Sequence, residues 1–372
     1  MIFADLWFLG FLTIVLAAFW SSPARWRRYI LLAGCLAFHA HYAGPAGMAP
    51  IIALAILVYL AFGKNRIWRL SVIALCVGAL IYYKYSELLQ STFHLPLPLP
   101  TAVPLAISFF VFEFVHLLND RNLKKISGKL DWLNFSIFAI FFPSLTAGPI
   151  KRYQQFKPEL EQLGPLRRAI FLQSLVRIAF GYYKKFCLAD ALAYELPTQG
   201  TLDLWKGSVL ALSVLQGLRI YLDFSGYSDI AIGLAGLFNI RLPENFSFPY
   251  LATNISDFWR RWHISLSTWI RDYVYILLGG NRVSPLRRFG NLMIAMFLCG
   301  LWHGAAVHFA LWGVIHGLAL LTVHFWRLRA PVAIPKLAAW ALTFVFVQLS
   351  WLIFFYDASS VLWMLKGGYR LL

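Results

Sequence analysis

The chain has 372 residues, 60% of them hydrophobic and 13% charged, with 33 Lys and Arg against 16 Asp and Glu. Soluble domains average about 45–50% apolar and about 25% charged residues, so the composition excludes an ordinary soluble domain and marks an all-α, polytopic membrane protein. The net charge of +17 sits in loops between apolar runs, the positive-inside pattern with its attraction for anionic membrane lipid, which argues against nucleic acid as a partner. The runs are continuous rather than alternating, which excludes an outer-membrane barrel.

The first apolar run, 6–20, is followed by Arg25, Arg27 and Arg28. A cleaved signal peptide carries its charges before the run, so this is read as a retained first helix. Runs at 29–42, 48–62 and 67–85 come next. Several are shorter than the roughly 20 residues of a straight crossing. Either their flanks extend them or the bilayer is thin there. The basic loop after the first run and the Lys64, Arg66 and Arg69 loop share a parity, so both are expected on the cytoplasmic side and the N-terminus outside.

Prolines at 96, 98, 100 and 104 forbid a regular helix over 94–104, which reads as a non-cytoplasmic loop. A span at 105–119 precedes a basic loop at 120–129. The charge alternation then breaks, because the apolar run 132–148 is followed by another basic loop, 151–168. Pro143, Gly148 and Pro149 predict a re-entrant piece that turns back beside a polar cavity. Spans follow at 169–187 and 204–222. Residues 223–250 mix Asp223, Ser225, Ser228, Asp229 and Glu244 into membrane-grade sequence, where acidic groups mark a cavity or pair with a cation. Runs at 289–306, 309–326 and 337–355 complete about ten or eleven membrane segments, read as a single domain over 1–372.

The most polar apolar-flanked stretch is 254–282. It sets Asp257, Arg260, Arg261, His263, Arg271 and Asp272 among Phe258, Trp259, Trp262, Trp269, Tyr273 and Tyr275. At helical spacing Phe258, Trp262, Leu266, Trp269 and Tyr273 share one side, while Asp257, Arg260, Arg261, Ile264, Ser267 and Arg271 fall mostly on the other. The pattern predicts one charged, Trp-rich helix at an interface or lining a polar cavity. Arg260 and Arg261 suit either a phosphate or carboxylate ligand or an anionic-lipid anchor. His263, after the Trp-Arg-Arg-Trp cluster, reads first as an interfacial residue on a charged helix.

Trp302, His303 and Gly304 interrupt a later apolar run. A neutral imidazole in such a surround can act as a general base, and Gly300 and Gly304 let a substrate approach closely. The competing reading is a core histidine bonded to a neighbouring helix. His308, His316 and His324 lack the i, i+4 spacing of a helical metal site, so no metal is expected. Cys35, Cys76, Cys187 and Cys299 show no paired spacing and read as small buried hydrophobes. Cys299, one turn before His303, raises an acyl-cysteine, against which its apolar setting speaks. No nucleophile elbow, Walker loop or dinucleotide fingerprint is present, which argues against an ATP-driven pump.

The run YLDFSGYSDIAIGLAGLFNIRLPENFSFPYLATNISDFWRRWHISLSTWIRDYVYILLGGNR, followed by LWHGAAVHFALWGVIHG, resembles the membrane-bound O-acyltransferase (MBOAT) family, in its bacterial alginate O-acetylation (AlgI-like) branch, with the D-alanyl transferases (DltB-like) as cousins. PLAISFFVFEFVHLL, FFPSLTAGPIKRYQQF and YKKFCLAD match motifs along the same branch. The resemblance covers about 104–317. Leu277 stands where the family commonly has proline, and the chain is shorter than typical alginate-type members.

The resemblance implies a ring of helices around a thin centre crossed by a tunnel. It implies that His303 is catalytic and that His263 lies nearer the cytoplasmic mouth. On this reading His263 is the second catalytic residue and with Arg260 and Arg261 positions the donor or polarises the site, Asp257 orients one of them, and Trp302 joins the substrate-binding set. No bound cofactor is implied. An acyl thioester on coenzyme A or on an acyl carrier protein would enter from the cytoplasm. The acyl group would pass to a hydroxyl of a cell-surface polysaccharide or of a periplasmic or extracellular partner, across the cell inner membrane. Acetyl transfer is the first reading, and D-alanyl transfer to a cell-envelope polymer the alternative. A small-solute transporter with the histidines as proton relays is the second alternative; it would show inverted repeats.

Overall fold

Apolar runs punctuated by Pro, Gly and Asx caps fold here into helices alone among the described residues. The computed structural model describes residues 2–94, 96, 98–100, 102–145, 147–329 and 334–368. Leu95, Leu97 and Thr101 of the expected proline loop, and Thr146 of the expected re-entrant piece, lie outside them. Four stretches are individually long and apolar enough to cross a membrane: Ala24–Phe62, Arg66–Thr92, Val307–Trp326 and Lys336–Phe355. The chain is a multi-pass helical membrane protein. Leu6–Ser21 and Trp132–Ser144 are apolar but shorter. Contacts divide the chain into two compact units, Met1–Ala179 with Ser228–Pro243, and Phe180–Tyr227 with Glu244–Leu372.

In the first unit, α1 (Leu6–Ser21) is started by Asp5, whose carboxylate accepts from the Phe8 amide at 2.6 Å. α2 (Ala24–Phe62) breaks at Gly44, whose φ of 62° precedes Pro45. A left-handed glycine followed by a residue with no amide donor is what parts the runs 29–42 and 48–62. α3 (Arg66–Phe93) and α4 (Ile107–Asn122) follow. Rings of Phe8, Phe11, Phe38 and Phe142 form a fully apolar centre, with Phe8–Phe38 at 6.1 Å and Phe11–Phe142 at 5.4 Å.

The expected re-entrant piece is irregular, as its prolines and glycine require. α5 (Trp132–Ala139) has eight residues, about 12 Å at 1.5 Å per residue against a hydrocarbon core of about 30 Å. A tight turn at Phe142–Ser144 follows, and a side chain at Gly148 would collide with the Ser144 backbone. Protein buries nearly all of this segment, the condition under which irregular backbone survives at membrane depth.

One face of α4 then explains two sequence motifs together. Glu113 receives Lys151 Nζ at 2.5 Å, both groups buried. His116 Nδ1–H donates to Phe112 O at 3.2 Å, so its Nε2 is free to accept the Tyr153 amide at 3.3 Å. Asp120 accepts from Gln154. Lys151 and the first turn of α6 (Tyr153–Glu161) are thereby pinned to α4.

α7 (Arg168–Tyr182) and α9 (Val209–Gly236) carry the acidic stretch. Each acid there that lies in α9 has a cation. In the first unit Asp229 accepts Arg177 Nε at 2.9 Å. In the second, Lys185 Nζ reaches both Asp223 and Asp190 at 2.6 Å. Asp190 begins α8 (Asp190–Glu195), after a wide π-turn at Tyr183–Ala189. The span expected at 204–222 is longer, because α9 runs on through Asp223 and Asp229.

The second unit continues with α10 (Ile255–Arg261), α11 (Ile264–Ile270), α12 (Pro285–His303), α13 (Val307–Arg329), α14 (Lys336–Phe355) and α15 (Ala358–Trp363). α12 and α13 form a close hairpin because Gly300 and Gly313 meet. A Cβ on either would collide with the partner's backbone, at Phe309 O or Met296 O. Tyr356 closes a separate apolar cluster at the end of α14, donating to Pro197 O at 2.8 Å and accepting from Gln216 at 2.6 Å. Cys35, Cys76 and Cys299 are buried as expected, but Cys187 is exposed on the π-turn.

Candidate active site

The stretch 254–282 is not one helix. Asn254 caps α10, accepting from the Asp257 amide at 2.9 Å. The helix stops at Trp262, which is extended, and His263 takes a left-handed conformation with φ 43° and ψ 55° before α11 begins. The expected single amphipathic helix is therefore corrected to two short ones and a π-turn, Arg271–Tyr275. The expected faces persist, because Phe258, Trp262, Leu266, Trp269 and Tyr273 are all buried and Arg260 and Arg271 are exposed.

What breaks the helix is a distant strap. Ser247 N–H donates to Arg261 O at 3.0 Å, and Asn245 O accepts the Ile264 amide at 2.9 Å. Asn245 Oδ1 accepts Ser265 Oγ at 2.6 Å. These bonds replace the intrahelical ones across residues 261–265. Sequence reasoning missed Asn245 and Ser265; the signal for Asn245 was the polar set Glu244, Asn245 and Ser247 within LPENFSFPY, and Ser265 had none beyond its place two residues after His263.

The break turns His263 into the protein. Its side chain is 1% exposed, and neither Nδ1 nor Nε2 has a hydrogen-bond partner. Its neighbours are rings: Phe224 at 4.5 Å and Trp302 at 5.7 Å between centroids. A buried unsatisfied polar group costs about 1–3 kcal/mol, and a non-glycine residue at positive φ adds strain. Two local penalties at one residue point to a role other than stability.

Trp302 in turn contacts His303, centroids 4.9 Å apart at 70°. His303 is the last residue of α12 and is half-buried. Trp312 and Phe354 wall it at 5.4 and 5.0 Å. The helix ends there because Gly304 is extended and packed against the Phe309 ring, leaving no room for a side chain. His303 is thus fixed by rings yet partly open, the state a general base needs.

His316 is the contrast. It is buried, accepts Trp259 Nε1–H at its Nδ1 (3.3 Å), and donates from Nε2 to Ser350 Oγ at 3.0 Å. Ser350 spends its own hydrogen on Val347 O. His316 is a satisfied core histidine.

Asp257 holds both arginines of α10: Arg260 at 3.2 Å and Arg261 at 2.9 Å, one carboxylate oxygen each. The expectation that Asp257 orients one of them understates the clamp. Arg261 is further tied to Ser247 O at 3.4 Å. The structure therefore brings His263, Trp302 and His303 into one contact chain, and Asp257, Arg260 and Arg261 into one ionic clamp two residues upstream of His263. Among the described residues no three His, Cys, Asp or Glu side chains gather as metal ligands.

This is a multi-pass helical membrane protein in which one indole, Trp302, contacts both a buried imidazole and a partly open one. The family model of the membrane-bound O-acyltransferases (MBOAT) matches residues 64–365, and the chain belongs to that family. Its chemistry is acyl transfer to a hydroxyl, and this selects an enzyme over a solute transporter. The chain is 33% identical to a protein of Azotobacter vinelandii described as "probable alginate O-acetylase AlgI", over 95% of this chain and 74% of that one. It is 32% identical to the peptidoglycan O-acetyltransferase of Helicobacter pylori, over 98% of this chain and 77% of that one. The teichoic acid D-alanyltransferase of Streptococcus thermophilus is 32% identical over 62% of this chain and 59% of that one.

Proposed function

We propose that the protein moves an acetyl group from a cytoplasmic thioester to a hydroxyl of a cell-surface polysaccharide, directly or through an outer-side partner protein, in the cell inner membrane. The observation that carries this reading is the half-open His303 linked through Trp302 to the buried, unsatisfied His263. The names of the relatives support the acceptor class, since alginate and peptidoglycan are both cell-surface polymers. Acetyl transfer is preferred to D-alanyl transfer because the acetylases match nearly the whole chain, and the D-alanyltransferase a smaller part.

In this mechanism His303 takes the hydroxyl proton as the oxygen attacks the thioester carbonyl. The new C–O bond forms, the C–S bond breaks, and the departing thiolate receives the proton. His263 supplies a hydrogen bond to the incoming donor, which satisfies an imidazole that the protein leaves bare. The clamp of Asp257, Arg260 and Arg261 presents fixed guanidinium donors to an anionic part of the donor, coenzyme A or a carrier protein.

The test is acyl transfer in proteoliposomes with labelled acetyl-CoA on one face and a hydroxyl acceptor on the other. Label that reaches the acceptor with wild type and is lost in a folded His303→Ala protein is the expected result. Full transfer by His303→Ala overturns the assignment of the base. Transfer from an aminoacyl carrier protein alone would move the reading to the D-alanyl alternative.

A further inference from the structure

Arg282, Arg287 and Arg288 cluster at the start of α12, the pattern of a cytoplasmic helix end. Beside this end a cleft of about 320 Å³ opens between α12, α13 and the 267–275 segment. Its mouth carries Arg271, Tyr275 and Arg288, and its walls are apolar, with Leu292, Met296 and Leu320 along the two helices. The cleft lies wholly within the second unit.

Two polar groups in the cleft lack what they need. Arg288 is half-exposed, and its guanidinium makes no hydrogen bond or ion pair among the described residues. His324 also lines the cleft, with its Nε2 buried and unpartnered. Arg271 is anchored through its Nε to Asp272 at 2.7 Å, which holds a second guanidinium nearby.

A free guanidinium at the mouth of an apolar cleft between membrane helices suits a phosphodiester with a hydrocarbon chain attached. Inorganic phosphate would leave the apolar walls wet. A neutral lipid would leave Arg288 bare. We propose that this cleft binds an anionic phospholipid of the surrounding bilayer, with its phosphodiester on Arg288 and Arg271 and one acyl chain in the cleft, against the apolar faces of α12 and α13. The lining ends at Cys299, one turn before His303 on the same helix, so the bound lipid braces the helix that carries the base.

The test measures lipid retained by the full-length protein in nanodiscs made from equal parts phosphatidylglycerol and phosphatidylcholine, by mass spectrometry after extraction into mild detergent. Wild type is expected to retain phosphatidylglycerol preferentially. Arg288→Gln should reduce that preference about fivefold, the effect of one arginine at an anionic surface. Arg288→Lys should keep most of it, and Leu292→Trp, which fills the cleft below an intact mouth, should reduce it. Equal retention of the two lipids by wild type overturns the proposal. So does unchanged preference in both Arg288→Gln and Leu292→Trp, or displacement of the lipid by acetyl-CoA, which would give the mouth to the acyl donor. If Arg288→Gln does not fold, Arg271→Gln with Leu292→Trp decides by the same measurement. The readout does not involve acyl transfer, so the lipid site and the enzymatic reading fail separately.

Discussion

The His263 imidazole and the Trp302 indole meet at 64° with their centroids 5.7 Å apart. Trp302 lies beside His303 in the chain, so one indole touches both histidines. His263 reaches this place only because the helix breaks at Trp262 and the backbone turns left-handed.

His263 should therefore separate stability from activity. Replacing an unsatisfied buried polar group with an apolar one of similar size is nearly neutral or stabilising. His263→Leu is expected to unfold at or slightly above the wild-type temperature in detergent while losing about tenfold or more of its transfer rate, within the range for a misplaced catalytic group. A large drop in melting temperature would show that His263 is structural.

The Asp257 clamp predicts a binding effect. Its partners are 67% and 35% exposed in their side chains, so losing it should cost stability only about 0–1 kcal/mol. Asp257→Asn releases both arginines and should raise KM for the donor with kcat little changed. A fall in kcat at constant KM would place Asp257 in the chemical step instead.

The Glu113–Lys151 pair is a matter of stability. Removing one charge from a buried pair costs about 3–5 kcal/mol, whereas replacing both with apolar groups is often neutral. Glu113→Gln should lower the thermal midpoint sharply, and Glu113→Leu with Lys151→Met should recover most of the loss. If the double variant is no better than the single one, the pair is not the source of the effect.

Gly300 and Gly313 set the spacing of the α12–α13 hairpin. Gly313→Ala should force the helices apart against Met296 O, at about 1–3 kcal/mol for overpacking. Because His303 lies at the end of α12, transfer should fall with the melting temperature. Unchanged stability and activity together would show that the hairpin has slack.

Much of the fold was legible because its causes are local. Apolar runs, the Gly44-Pro45 break, the proline loop and the irregular 132–148 segment all follow from neighbouring residues and backbone sterics. The basic loops and the MBOAT motifs were legible for the same reason, and they pointed to His303 and His263. The continuous helix over 254–282 was the error, because helical periodicity in the side chains carries no information about a strap from Asn245 and Ser247 that captures the backbone of residues 261–265.

The sequence by itself determined the class of the protein, an all-α membrane enzyme of the acyltransferase family, since hydropathy and motif are properties of the chain read in order. Only the tertiary structure decided which polar groups are satisfied. Lys185 with Asp223, Arg177 with Asp229 and Lys151 with Glu113 are pairs made across 38 to 52 positions, and such pairings depend on how helices dock. The same docking gave His316 two partners and left His263 none, a difference between two buried histidines that no local pattern contains.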